Sequence, residues 1–421
     1  MSKKITFVFL LISSFVVAQQ TKDTTLFKSV IVTPEIMAGV TAEANVNFPD
    51  HSFQKQIMLS FGWEHDNTPQ EWAQRLKGPR TGIGFGYENF GNKDTLGSAL
   101  TLMPFIEFNA FRKEKLKVQL GMGGSYFNKK YDSILNPKNQ AVTTDLTWSF
   151  RAFINYQFIS SEKIDWRVGA GYFHHSNGHT RLANQGYNSF LISLSADIKN
   201  NKRDRNFAII PDFDRSIYSY FTFRSGYGIN AFSKAFNDKK SVYTISAEYG
   251  KVLNNTFKLG VGFYYRFYEH YYDYIVNNES LVQDGREFDY YKEHPWRNAS
   301  NLGLFIKGEV LLNHFGIDFQ LGVNLYKPGY RIDWRINQGW SYVPRVIPEQ
   351  SGVVLGEFDS KFKKKKLISS HLGLKYYLFG NERAPKNNFF IGMFLNTNLG
   401  QADFSEVSVG YVYSFNFKKR S

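Results

Sequence analysis

Cysteine is absent from the 421 residues, which removes disulfide scaffolds, cysteine zinc sites and thiolate nucleophiles together. Any chemistry must come from oxygen and nitrogen groups. Acidic residues are in the minority: 37 Asp and Glu stand against 51 Lys and Arg, for a formal net charge of +14. Long apolar runs are scarce too. The one near the start, Ile5 to Ala18, follows Lys3 and Lys4 and ends Val16-Val17-Ala18 before Gln19. A basic head, an apolar stretch short of the roughly 20 residues of a membrane-spanning helix and a small residue at its end predict a signal peptide over residues 1–18. Beyond Ala18 nothing is apolar enough for a transmembrane helix. Aromatic residues, by contrast, are plentiful at 17%, with 40 Phe and 26 Tyr, so disorder is excluded as the general state. An exported basic chain meets phosphate on lipid head groups before it meets DNA, and its charge points to an anionic membrane rather than to nucleic acid.

What recurs along the chain is strict alternation. Trp166, Val168, Ala170, Tyr172, His174 and Ser176 fall on one face of a period-two segment, with Arg167, Gly169, Gly171, Phe173 and His175 on the other. Leu116 to Tyr126 and Phe257 to Phe267 read the same way, apolar against Gly, Lys, Gln and Arg. Period two means strand, and runs of ten or more residues suit membrane strands of about 9–11 residues better than soluble strands of about 5–6. The expected fold is all-β: an antiparallel transmembrane β-barrel with its apolar face outward.

Eight such strands fall between residues 35 and 198 and eight between 216 and 417, separated by a polar, basic stretch at Lys199–Arg205. The expected organisation is residues 1–18 as signal peptide, 19–200 as a catalytic eight-stranded repeat and 201–421 as a second repeat. Two small barrels and one barrel of sixteen strands both fit, since an even number suits closure. Gly400–Glu406 stands before the final strand where the first half has its seventh-to-eighth turn, a hint of duplication. The insertions at 269–299 and 327–365 read as loops. Tyr264, Tyr265, Tyr268, Tyr271, Tyr272 and Tyr274 read as an interfacial aromatic belt with His270 among them, and Lys363–Lys366 as a solvated loop edge.

One hairpin carries chemistry. His174 and Ser176 leave the same face of their strand, and on the return strand Asn188 shares the face of Phe190, Ile192 and Leu194. Three polar residues at the rim of an apolar surface supply a base, a nucleophile and a group to orient the base. Asn177, Gly178 and Gly186 offer donors for an oxyanion. The implied reaction is acyl transfer from a lipid ester to water. His175 points to the lumen and His179 reads as loop surface. No other His, Asp and Glu cluster has metal-ligand spacing, and no cofactor is expected.

The run His174-His-Ser-Asn-Gly178, followed by Asn184-Gln-Gly-Tyr-Asn188, resembles the active-site hairpin of the outer-membrane lipid A 3-O-deacylases, the PagL-like or acyloxyacyl hydrolase group. The resemblance implies His174 as base, Ser176 as nucleophile and Asn188 as third member, with Asn177, Asn184 and Gly186 supporting the oxyanion and the turn. Asn188 stands where founding members carry Glu, and Ala183 replaces a frequent Pro. Tyr131–Asn139 and the closing strand also resemble the long members of the group. The implied function is an outer-membrane serine esterase acting on lipid A. The hairpin is similar as well to that of outer-membrane phospholipase A, a calcium-dependent enzyme of phospholipids, whose calcium-associated positions correspond to His179 and Asn184. A porin-like barrel without enzymatic activity is the alternative from another class.

Overall fold

The computed structural model describes residues 30–66, 68–110, 115–199, 212–338 and 364–420; the signal-peptide segment and Lys363 lie outside the described residues. Alternation produces sixteen antiparallel strands. The first eight are β1 (Val30–Ala42), β2 (Gln54–Glu64), β3 (Arg80–Asn89), β4 (Ser98–Asn109), β5 (Leu116–Phe127), β6 (Leu146–Ser160), β7 (Ile164–Ser176) and β8 (Tyr187–Lys199). Each pairs with the next, and β1 pairs with β8 from Ile31↔Lys199 to Ala42↔Asn188, which closes a barrel. The second eight are β9 (Arg215–Asn230), β10 (Lys240–Leu253), β11 (Phe257–Tyr268), β12 (Ser300–Leu312), β13 (Phe315–Tyr326), β14 (Ile368–Tyr377), β15 (Asn387–Asn398) and β16 (Gln401–Arg420). They close on themselves through β16 and β9. The chain therefore forms two eight-stranded barrels and not one of sixteen, and closure leaves neither sheet an open edge.

The apolar faces point outward in both. Ile192 is 67% exposed while Arg167, three register rows away on the opposite face, is 2% exposed. Inside the first barrel, Arg80 and Arg167 each bridge Glu107 and Asp197 at 2.8–3.2 Å, and Arg151 pairs with Glu35 at 2.7 Å. Inside the second, Lys307 meets Glu248 and Asp318, and Lys375 meets Glu309 and Asp318. A buried charge without a partner costs several kcal/mol, so the lumenal charges come in paired layers. An eight-stranded barrel is just wide enough for side chains to fill it. Both lumens are filled in this way, which does not suit a porin-like channel.

Apart from 65–79, which holds a short helix, and the two-residue turn 399–400, connections at one end, such as 161–163, 254–256 and 313–314, are mostly shorter than those at the other, such as 128–145, 177–186, 231–239 and 269–299. Short periplasmic turns and longer extracellular loops are the rule for such barrels, so the β7–β8 hairpin tip lies at the outer leaflet.

The insertion at 269–299 is not a loop throughout. It holds helix Glu269–Val276, a 3-10 turn Asp289–Glu293 and helix Pro295–Asn298, and helix Tyr330–Gln338 follows β13. These pack into an apolar cap over the second barrel, with Phe232, Tyr271, Tyr274, Ile275, Phe288, Tyr291 and Ile332 buried in it. The expected tyrosine belt is corrected accordingly. Tyr264 and Tyr268 point into the lumen and Tyr271 and Tyr274 into the cap, all nearly inaccessible, and His270 is buried with them. Past Tyr268 the spacing of buried residues changes from two to three or four, the repeat of a helix face. Lys365, expected at a solvated edge, is buried and bonds Gln401. Gly121–Gly124 lies within β5, where a Cβ on Gly123 would lie 2.2 Å from the Leu102 carbonyl oxygen.

Candidate active site

Strand register assembles the site. His174 lies directly opposite Asn188 across β7 and β8, Phe150 flanks it on β6 and Ala42 flanks Asn188 on β1. One row towards the rim, Ser176 lies opposite Trp148. All of these side chains leave the outer face of the barrel, as the alternation requires. The start of β8 is anchored from behind, where Tyr187 stacks on Phe90 at 4.4 Å and on Phe127 at 5.4 Å. Tyr187 is fully buried, so its neighbours Gly186 and Asn188 are held in place.

His174 Nδ1 bonds Asn188 Oδ1 at 2.8 Å, and the Tyr172 hydroxyl donates to the same oxygen. An amide oxygen only accepts, so the ring proton sits on Nδ1 and the lone pair on Nε2, the tautomer a general base needs. Ser176 is 4% exposed. Its Oγ accepts from the Asn184 side-chain amide at 2.9 Å and from the Gly178 N–H at 3.2 Å. Among the described residues no hydrogen bond joins His174 Nε2 to Ser176 Oγ, a gap common in sites without substrate. Asn184 Oδ1 also accepts from the Asn177 N–H at 2.9 Å, and the Asn177 side chain donates to the Arg181 carbonyl at 2.7 Å. Two glycines are required by geometry. Gly186 has φ +77° and a Cβ there would lie 2.8 Å from His174 Cε1, while Gly178 has φ +66°. All seven residues singled out in the sequence thus meet in one hairpin.

Tyr172 was not among them, although its period-two spacing from His174 was a usable signal. His179, read as loop surface, instead turns towards the second barrel, and its carbonyl accepts from the Ala231 N–H at 2.8 Å. Burial lowers its pKa, against the opposing pull of Asp333 and Asp403. His175 is lumenal as expected: Nδ1 bonds Ser149 at 3.0 Å and Nε2 meets Glu88 at 2.7 Å.

Below the His174–Asn188 row the outer face is hollow. Ala38, Val40, Ala152, Ala170, Tyr172 and Phe190 line a groove of about 980 Å³. Small residues on adjacent strands make its floor. The rows of Tyr172 and Ala170 lie two and four residues from His174, roughly 7 and 13 Å along the strand.

Residues 55–197 match the model of the lipid A 3-O-deacylase family, PagL, and residues 233–338 match that of the acyloxyacyl hydrolase C-terminal domain. The first match covers about a third of the chain and the second about a quarter. The chain carries a lipid A 3-O-deacylase domain. It joins that domain to an acyloxyacyl hydrolase C-terminal domain, and its two barrels are barrels of the outer membrane. No curated protein matches the chain. Among solved structures, the outer-membrane enzyme PagL is 17% identical over 39% of this chain and 97% of its own, with a TM-score of 0.27. The NanC porin is 5% identical over 91% and 100%, at 0.16. The outer-membrane protein opdK of Pseudomonas aeruginosa is 9% identical over 92% and 99%, at 0.19. At these scores the two domain assignments rest on the sequence models alone.

Proposed function

We propose that this outer-membrane ester hydrolase removes an ester-linked acyl chain from lipid A with Ser176 as nucleophile, His174 as general base and Asn188 as the group that orients the imidazole. The observation that carries the reading is the direct pairing of His174 with Asn188, one row from Ser176, on a face that otherwise belongs to lipid. Rotation of the Ser176 side chain brings Oγ to Nε2, which takes its proton as Oγ attacks the ester carbonyl carbon. The Gly178 N–H and the Asn184 amide, which hold Oγ at rest, are then free to receive the carbonyl oxygen as charge develops on it. The bond to the sugar oxygen breaks, and His174 returns the proton to that oxygen. Water attacks the acyl-serine by the same route in reverse and releases a fatty acid. The acyl chain lies in the groove below, against Ala170, Ala152 and Phe190.

Lipid A from cells carrying Ser176→Ala tests the reading by mass spectrometry. Loss of the deacylated species with a barrel that still shows heat-modifiable gel mobility is expected; unchanged deacylation would overturn it. The mechanism draws on the protein's own side chains and the Gly178 N–H, so activity on purified lipid A should persist in a chelator. Fatty acid release from glycerophospholipid only with added calcium would favour the phospholipase reading instead.

A further inference from the structure

The loop between β7 and β8 is held from two sides. Its second half belongs to the first barrel: Gln185 N–H donates to the Gln140 carbonyl at 3.0 Å, Gly186 N–H to the Ala141 carbonyl at 2.8 Å, and Thr143 Oγ1 to the Ala183 carbonyl. Its first half is bonded to the second barrel. Ser405 Oγ accepts from the Trp148 indole N–H at 2.9 Å and donates to the Gly178 carbonyl at 3.3 Å. The Ala231 N–H reaches the His179 carbonyl at 2.8 Å. Asn237 takes both main-chain groups of Leu182: its Oδ1 accepts from the N–H at 2.7 Å and its Nδ2 donates to the carbonyl. The fit at Gly178 is close enough that a Cβ there would lie 2.1 Å from Ser405 Oγ and 3.0 Å from the Trp148 ring.

These attachments fall between the two groups that bond Ser176 Oγ, the Gly178 N–H and the Asn184 amide. Within the loop, Asn177 is tied to Asn184 and Arg181, but the main chain of Gly178, His179 and Leu182 takes these further bonds from the second barrel, and an error near 1 Å in a catalytic donor costs about 100-fold in rate. We propose that the second barrel is a clamp for the oxyanion loop, with Asn237 and Ser405 as positioning residues that act on Ser176 through Leu182 and Gly178. This rests on Ser176 as the nucleophile. It also gives the glycine of the His-x-Ser-Asn-Gly run a reason outside its own barrel: the second barrel occupies the space a side chain would need.

A clamp affects turnover more than binding, because the acyl groove lies on the outer face below the site and is lined by the first barrel alone. The experiment compares Asn237→Ala, Ser405→Ala, Asn237→Asp and Ser176→Ala in the full chain. Each is assayed on lipid A micelles for kcat and KM, and for the rate at which a lipophilic fluorophosphonate labels Ser176. Asn237→Ala and Ser405→Ala should each lower kcat and the labelling rate about 10- to 100-fold, with KM within about twofold and gel mobility unchanged. Asn237→Asp keeps the acceptor for the Leu182 N–H and should recover part of the loss. Wild-type kcat and labelling in both alanine variants, beside an inactive Ser176→Ala, would overturn the clamp and leave the nucleophile standing. Full activity in Ser176→Ala would overturn both. Loss of barrel mobility in both alanine variants, or an equal rise in KM, would reduce these residues to a structural role and overturn the proposal.

Discussion

The two barrels share strand number, outward apolar faces and ion-paired lumens, yet they differ at one matched position. In each, the hairpin joining the seventh and eighth strands places two outward residues near its tip on the first strand and one opposite on the second. The first barrel has His174 and Ser176 there, with His174 facing Asn188. The second has Leu395 and Thr397, with Leu395 facing Ser405. The fold is indifferent to this exchange, because outward positions at the rim carry none of the lumenal charge pairing. On the proposed mechanism the reacting groups are outward side chains of the first barrel, and the wall that carries them is built alike in both barrels.

The largest test of that contrast exchanges matched hydroxyls. Ser176→Ala should lower deacylation at least about 1,000-fold, as loss of a serine nucleophile does, while Thr397→Ala at the matched place should leave turnover unchanged; a comparable loss from Thr397→Ala would break the comparison. Next come the hairpin glycines. Gly186→Ala places a methyl against the His174 ring and should lower kcat roughly 10- to 100-fold by displacing the base. Gly400→Ala in the second hairpin has a positive φ of 82° but nothing within 4 Å, so it should cost about 1 kcal/mol of stability and no activity, read by thermal unfolding beside the assay. Ala170→Leu raises the floor of the groove, and a several-fold loss on long acyl esters with little change on short ones is expected from steady-state kinetics across chain lengths. Equal loss on every chain length would mean that the acyl chain lies elsewhere.

The smallest effect concerns pH. Burial lowers the pKa of His179, with Asp333 and Asp403 opposing and Lys327 reinforcing that shift, and His270 close by. A group depressed in the folded state loses its contribution as pH falls below its ordinary value near 6.5. The thermal midpoint should therefore drop between pH 7.5 and 5.5, and His179→Asn should drop less. An identical drop in both would remove His179 as a source of pH sensitivity.

Much of this was legible before any coordinates. Alternation located the strands and told which face meets lipid, because lipid and lumen impose opposite chemistry at every second residue. The same parity brought His174, Ser176 and Asn188 together. Closure was not legible: whether β8 returns to β1 or continues to β9 is a long-range pairing that neither strand's composition encodes. The helical cap was missed because tyrosines suit a membrane interface and a packed core equally, and only their change of spacing after Tyr268 separates the two. The roles proposed for Asn237 and Ser405 depend on contacts across 55 and 227 residues of chain, which no local pattern announces.

In the proposed mechanism Ser176 works on the outer face of the barrel wall and not in a lumen, so its substrate arrives by drifting within the plane of the membrane. The encounter is two-dimensional. Turnover should follow the surface density and lateral mobility of lipid A more closely than any bulk concentration, so that stiffening the leaflet, with no change to the protein, would slow the enzyme.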